Sequence, residues 1–115
     1  MERRRETLIG KLLLEAHEHG HNAAMNADLQ IIAVVGYEDD PFPICGFGSV
    51  RVKGIRGKTL TEFKKRGFDK SYIGGQVLSV RDYNQSYDMK KAYAQAFAKV
   101  LKENGFNAWA ESRLD

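Results

Sequence analysis

At 115 residues, 43% hydrophobic and with a net charge of +3, the chain has the length of one domain that buries a core and is cramped for two. The apolar run Leu12, Leu13 and Leu14 falls far short of the roughly 20 residues that span a bilayer, and no small-residue cleavage site follows it. The expectation is a single soluble domain over 1–115 that is neither membrane-inserted nor secreted and works in a cytoplasm. Cys45 has no partner for an internal disulfide and no metal-type cysteine spacing, so it reads as a small buried residue beside Gly46 in a reducing compartment.

In chain order, residues 7–22 place Leu8, Ile9, Leu12, Leu13 and Ala16 on one helical stripe, with Lys11, Glu15 and Glu18 off it. Gly20 and Asn22 both read as stops, although Ala23, Ala24 and Met25 could continue the pattern. The run 29–37 is rich in Ile and Val and reads as a buried strand, which Glu38, Asp39, Asp40, Pro41, Phe42 and Pro43 then break. A second strand is expected over 45–53, closed by the turn Gly54, Ile55, Arg56, Gly57. A short helix over 59–66 turns Leu60 and Phe63 inward and Lys64 and Lys65 outward, and stops at Gly67.

The third strand lies within 72–83 and centres on 76–81. Gly74 and Gly75 near its start imply a bulge or a close backbone approach. Ser86 can cap a second long helix, Asp88 suits its positive end, and Met89, Ala92, Tyr93, Ala96, Phe97, Val100 and Leu101 recur at spacings of three and four before Gly105. A last strand over 106–114 alternates Ala108, Ala110 and Ser112 against Trp109 and Glu111. The fold class is therefore α+β in the order αββαβαβ, with one sheet of about four strands packed by two longer helices and a short one.

Charge is unevenly placed. Residues 51–70 carry eight basic groups (Arg51, Lys53, Arg56, Lys58, Lys64, Lys65, Arg66 and Lys70) against Glu62 and Asp69, while Glu38, Asp39 and Asp40 form a small acidic cluster. Such separation suits contact with a polyanion or an acidic protein surface, and it equally describes a solvated basic helix face. Arg51, Lys53, Arg56, Lys58, Lys64, Lys65 and Arg66 are the candidate macromolecule-binding residues.

Other patterns carry less. His17, Glu18, His19, Gly20 and His21 satisfy H-E-x-x-H, in which two imidazoles one turn apart bind zinc and the glutamate polarises its water. Gly20 weakens the helix that would hold His17 and His21, and no third ligand stands at a recognisable spacing. A solvated helix end is the simpler reading, and a small zinc hydrolase the distant alternative. Gly57, Lys58 and Thr59 mimic the end of a phosphate-binding loop, but position 52, where its first glycine belongs, is Val52. The turn from Gly54 to Gly57 echoes the GXXG loop of KH domains, which joins two helices where this one follows a strand. Tyr72, Tyr83, Tyr87, Tyr93 and Trp109 offer stacking surfaces or core packing. No catalytic grouping is legible and no motif implies a cofactor.

The pairs Ala16-His17, Ala23-Ala24 and Gln85-Ser86, the triplets Cys45-Gly46-Phe47, Ala92-Tyr93-Ala94 and Ala96-Phe97-Ala98, Tyr72 with Gly74-Gly75, and the ending Ser112-Arg113-Leu114-Asp115 resemble small uncharacterised proteins of tailed bacteriophages and prophages. The resemblance spreads over nearly the whole chain, is most specific in the C-terminal block, and implies a phage context and work in the host cytoplasm without an established activity. The expected function is a non-enzymatic accessory protein that binds and blocks a host protein or nucleoprotein complex, such as a CRISPR effector. A direct DNA- or RNA-binding protein of phage replication or gene expression is the alternative. Edge strands and Trp109 permit a homodimer without demanding one.

Overall fold

The computed structural model describes residues 2–27, 31–32, 42–43, 46–83 and 86–114, with side chains described over 8–27, 46–83 and 86–113. Cys45, the acidic cluster at Glu38, Asp39 and Asp40, Gln85 and most of the expected strand over 29–37 lie outside the described residues. The elements run α1 (Glu2–Met25), β1 (Ile31–Ile32), β2 (Phe42–Pro43), β3 (Gly46–Lys53), α2 (Gly57–Lys65), β4 (Asp69–Lys70), β5 (Gln76–Ser79), α3 (Tyr87–Glu103) and β6 (Asn107–Leu114). This is the expected α+β fold with three helices and a four-stranded antiparallel sheet, ordered β4-β5-β3-β6.

The fourth strand is not the expected one. Ile31–Ile32 pairs antiparallel with Phe42–Pro43 in a separate two-stranded ladder, and Asp69–Lys70 takes the place beside β5. Two residues are too few for a period-2 pattern to register, so β4 leaves no signature in the sequence. Pro43 sits in a ladder of two strands, where each strand is an edge and a missing N–H is tolerated.

Alternation on β3 sets the layers. Val50 and Val52 are fully buried toward α3, with Gly46 and Gly48 on the same side, whereas Phe47, Ser49, Arg51 and Lys53 point to the opposite face. Register carries the division across the sheet: Val50 stands opposite both Leu78 and Ala110, and Arg51 opposite Val77 and Trp109. A Cβ on Gly48 would lie 2.8 Å from the Lys90 carbonyl oxygen, so α3 sits directly on the strand backbone there.

Helix α3 begins where Ser86 accepts a hydrogen bond from the Met89 N–H at 3.3 Å. It is buried on two sides, against the sheet and against α1, which is why Ala94 and Ala98 join Tyr93, Phe97, Val100 and Leu101 in the core. Helix α1 continues through Gly20 to Met25, because the absent side chain gives room to the Tyr93 ring: a Cβ there would lie 2.7 Å from Tyr93 Cδ2. Its packed stripe runs through Ile9, Leu13, Ala16, Gly20 and Ala24, which leaves Leu8 exposed rather than inward. Phe63 of α2 closes one end of the core edge-on to Phe68 and Phe106, at centroid separations of 5.1 and 5.3 Å.

Candidate functional site

The basic window divides into groups with different surroundings. Arg51 is 7% exposed: its Nε and Nη2 donate to the Glu111 carboxylate at 2.9 and 3.1 Å, and its Nη1 donates to the Gly74 carbonyl. Those bonds fix β3 to β6 and to the β4–β5 turn and occupy the guanidinium. The other candidates lie nearer solvent. Lys53, Arg56, Lys58, Lys64 and Lys65 are exposed and Arg66 is half-buried.

Lys53 extends from the end of β3 with its ammonium 5.9 Å from the centroid of the Trp109 ring. Its Nζ also flanks the β4–β5 turn, where a Cβ on Gly74 would meet it at 3.3 Å. Arg56 caps α2 without a side-chain hydrogen bond and Lys58 lies in the first turn, which holds no acidic residue. Lys53 and Arg56 help line a shallow cavity of about 440 Å³ between the β3–α2 and α3–β6 turns. At the other end of α2, Lys64 and Lys65 complement the helix dipole, and Lys65 pairs with Glu62 at 3.2 Å.

Two exposed apolar side chains stand on the turn that Lys53 flanks. Tyr72 is 100% exposed and Ile73 is 72% exposed, at the tip of the β4–β5 hairpin. The tip is held by hydrogen bonds from Ser71 N to Gly75 O and from Gly74 N to Ser71 O, each 3.0 Å, and by the Ile73 N–H on the Ser71 hydroxyl at 3.3 Å. Gly74 and Gly75 have φ of 121° and 71°, and a Cβ on Gly75 would lie 2.7 Å from the Val52 carbonyl oxygen. The close backbone approach expected from the Gly-Gly pair is thus present. Of the five candidate stacking residues, Tyr93 is core, Tyr83, Tyr87 and Trp109 are half-buried, and Tyr72 alone is fully open.

A larger cleft of about 640 Å³ opens along the β5 edge, with Tyr72 at its rim and Arg66, Lys70 and Arg81 among its cations and Asp69 and Asp82 among its anions. His17 reaches into it from α1, its Nδ1 2.6 Å from the Tyr93 hydroxyl. One turn on, His21 Nδ1 lies 2.8 Å from the Tyr83 hydroxyl, and Tyr83 and Tyr93 pack at a centroid separation of 5.9 Å. Burial drives the Tyr93 phenol far above its ordinary range, and burial followed by the nearby Asp82 charge raises that of Tyr83. Both phenols are neutral hydrogen-bonding partners at neutral pH.

The H-E-x-x-H segment therefore faces tyrosines. His17 and His21 are stacked with centroids 6.4 Å apart and have their Nδ1 atoms engaged, and no group of three or more His, Cys, Asp or Glu that could hold a metal occurs among the described residues. His19 points elsewhere, 3.9 Å from Glu15. The pairing of His17 with Tyr93 crosses 76 residues, and no local spacing announces it.

The Gly54–Gly57 turn joins a strand to a helix, with φ of 81° and 62° at its two glycines and open space around both. It lacks the second helix of a KH loop. No described helix is long and apolar enough to cross a membrane. Comparison with known proteins finds no matching family model, no matching curated protein and no matching solved structure.

Proposed function

We propose that this chain is an accessory protein of a tailed phage that has no catalysis of its own and binds a host macromolecular complex, blocking or modulating it by contact. A defence nucleoprotein of the CRISPR type is the kind of target that suits a small basic ligand acting in the host cytoplasm. The observation that carries the reading is the solvent-facing set Lys53, Arg56, Lys58 and Lys64, of which Lys53 reaches the exposed, hydrogen-bonded hairpin tip at Gly74. Exposed cations of this kind suit contact with the acidic protein surface or the nucleic-acid component of such a complex.

The test is a tagged pull-down from bacterial lysate with and without nuclease, run beside a variant carrying Lys53→Glu, Arg56→Glu, Lys58→Glu and Lys64→Glu. A discrete host complex that survives nuclease and is lost from the variant supports the reading. Recovery of nucleic acid alone, abolished by moderate salt, overturns it in favour of direct DNA or RNA binding.

A further inference from the structure

We infer that the β4–β5 hairpin tip is a contact for single-stranded nucleic acid, with the Tyr72 ring as the stacking platform for one base and Lys53 and Lys70 as the cations for its neighbouring phosphates. The inference rests on the reading that the basic end is the binding surface, and it names the chemistry of what that end touches.

Three observations lead to it. First, Tyr72 is 100% exposed on a turn held by backbone hydrogen bonds and by the Arg51 guanidinium on the Gly74 carbonyl, so the ring is presented by a fixed backbone. An aromatic ring held in water has no folding role to explain it, and its face is available to any base. Base stacking on such a ring contributes roughly 1–3 kcal/mol and tolerates any sequence.

Second, cations bracket the tip. Lys70 precedes Tyr72 by two residues on β4, and the Lys53 ammonium reaches the turn at Gly74 from β3. The adjoining cleft adds Arg66 and Arg81, opposed by Asp69 and Asp82. Along the tip and the adjoining cleft together, Lys53, Lys70, Arg66 and Arg81 outnumber Asp69 and Asp82, as a phosphodiester chain requires.

Third, the Tyr72 ring lies wholly in solvent. A duplex hides its base faces in the stack, so such a ring can stack only on bases that are already unstacked. Ile73, 72% exposed beside Tyr72, provides an apolar wall for the sugar of a base so placed. A pocket on a protein could also receive Tyr72 and Ile73, and the experiment separates the two.

Fluorescence anisotropy of the full chain with fluorescein-labelled dT15, rU15 and a 15-base-pair duplex reads the contact directly. The expected result is saturable binding of the single strands, about tenfold tighter than the duplex. Tyr72→Ala weakens it by about tenfold or more, Tyr72→Phe retains it, and Lys70→Gln lowers the slope of log K against log salt by somewhat under one unit. Since Tyr72 is 100% exposed, the urea midpoint of Tyr72→Ala is expected to be unchanged, which establishes that folding is not the cause.

Two results overturn the inference: no saturable binding of dT15 or rU15, or equal binding by wild type and Tyr72→Ala. If either occurs while the nuclease-resistant pull-down persists and is lost from Tyr72→Ala, the tip docks into a protein and the broader function stands. If the pull-down fails as well, both readings fall together.

Discussion

Arg51 and Glu111 meet across the β3–β6 ladder in a two-pronged pair, with Nε and Nη2 of the guanidinium donating at 2.9 and 3.1 Å to the two carboxylate oxygens. Trp109 Nε1 donates to the same carboxylate at 3.0 Å. Arg51 lies on the sheet face opposite α3 and is nonetheless buried, so this most buried cation of the basic window works in the fold. Arg51→Met takes the guanidinium from the Gly74 carbonyl and leaves the Glu111 carboxylate with the Trp109 indole as its remaining side-chain donor, and is expected to destabilise by about 2–3 kcal/mol. Urea unfolding checks it, as a lower midpoint at unchanged slope.

The same pair sets an acid limb. Hydrogen bonding from Arg51, joined by the Trp109 indole, holds the Glu111 carboxyl below the usual carboxylate range against an opposing effect of burial. The unfolded chain therefore takes up this proton first as pH falls. The stabilisation is present in full above the unfolded value of about 4.3 and is lost as pH drops through the lower folded value. Glu111→Gln has no proton to take up. Its stability deficit relative to wild type should be level from about pH 6 to 8 and shrink below about pH 4.3, as read by urea titrations across that range.

Tyr93 predicts the opposite limb. Its phenol is raised above its ordinary value of about 10, so at alkaline pH the unfolded chain ionises first and the folded state loses ground. Wild type should weaken with pH above about 10 more steeply than Tyr93→Phe, which has no phenolic proton. At neutral pH the variant loses the 2.6 Å bond to His17 while keeping the ring packed on Phe97, a deficit of about 1 kcal/mol in urea unfolding. Tyr83→Phe removes a bond between more exposed groups and should matter less.

Long periodic elements were legible in the sequence, and elements made by distant partners were not. The stripe from Met89 to Leu101 placed α3, and the Ser86 cap was readable because capping is local. The short strand β4 has too few residues for a period, and its pairing with β5 depends on the turn at Gly74 and Gly75. The basic residues from Lys53 to Lys64 were found by composition, since exposed charge is what composition reports. Composition could not separate Arg51 from them, because its partner Glu111 lies 60 residues away. Exposure of Tyr72 was equally hidden, as the sequence marks an aromatic without marking whether a neighbour covers it.

Two glycines of α1 give a paired prediction in which the same substitution has opposite signs. Alanine is favoured over glycine inside a helix by about 1 kcal/mol, so propensity alone makes Gly10→Ala and Gly20→Ala equally stabilising. At Gly10 a Cβ would meet only Glu62 Oε1 at 3.7 Å, an ordinary contact, and the gain should appear nearly in full. At Gly20 it would meet Tyr93 Cδ2 at 2.7 Å and the Tyr93 carbonyl oxygen at 3.0 Å, so α1 and α3 must move apart or the ring must turn. Overpacking of this kind costs about 1–3 kcal/mol, enough to cancel or reverse the helical gain and to disturb the His17–Tyr93 bond. Thermal unfolding of the two variants side by side should place Gly10→Ala above wild type and Gly20→Ala below it. A rise at both positions would mean that the α1–α3 contact yields without loss and that Gly20 is not what lets the helix run on to Met25.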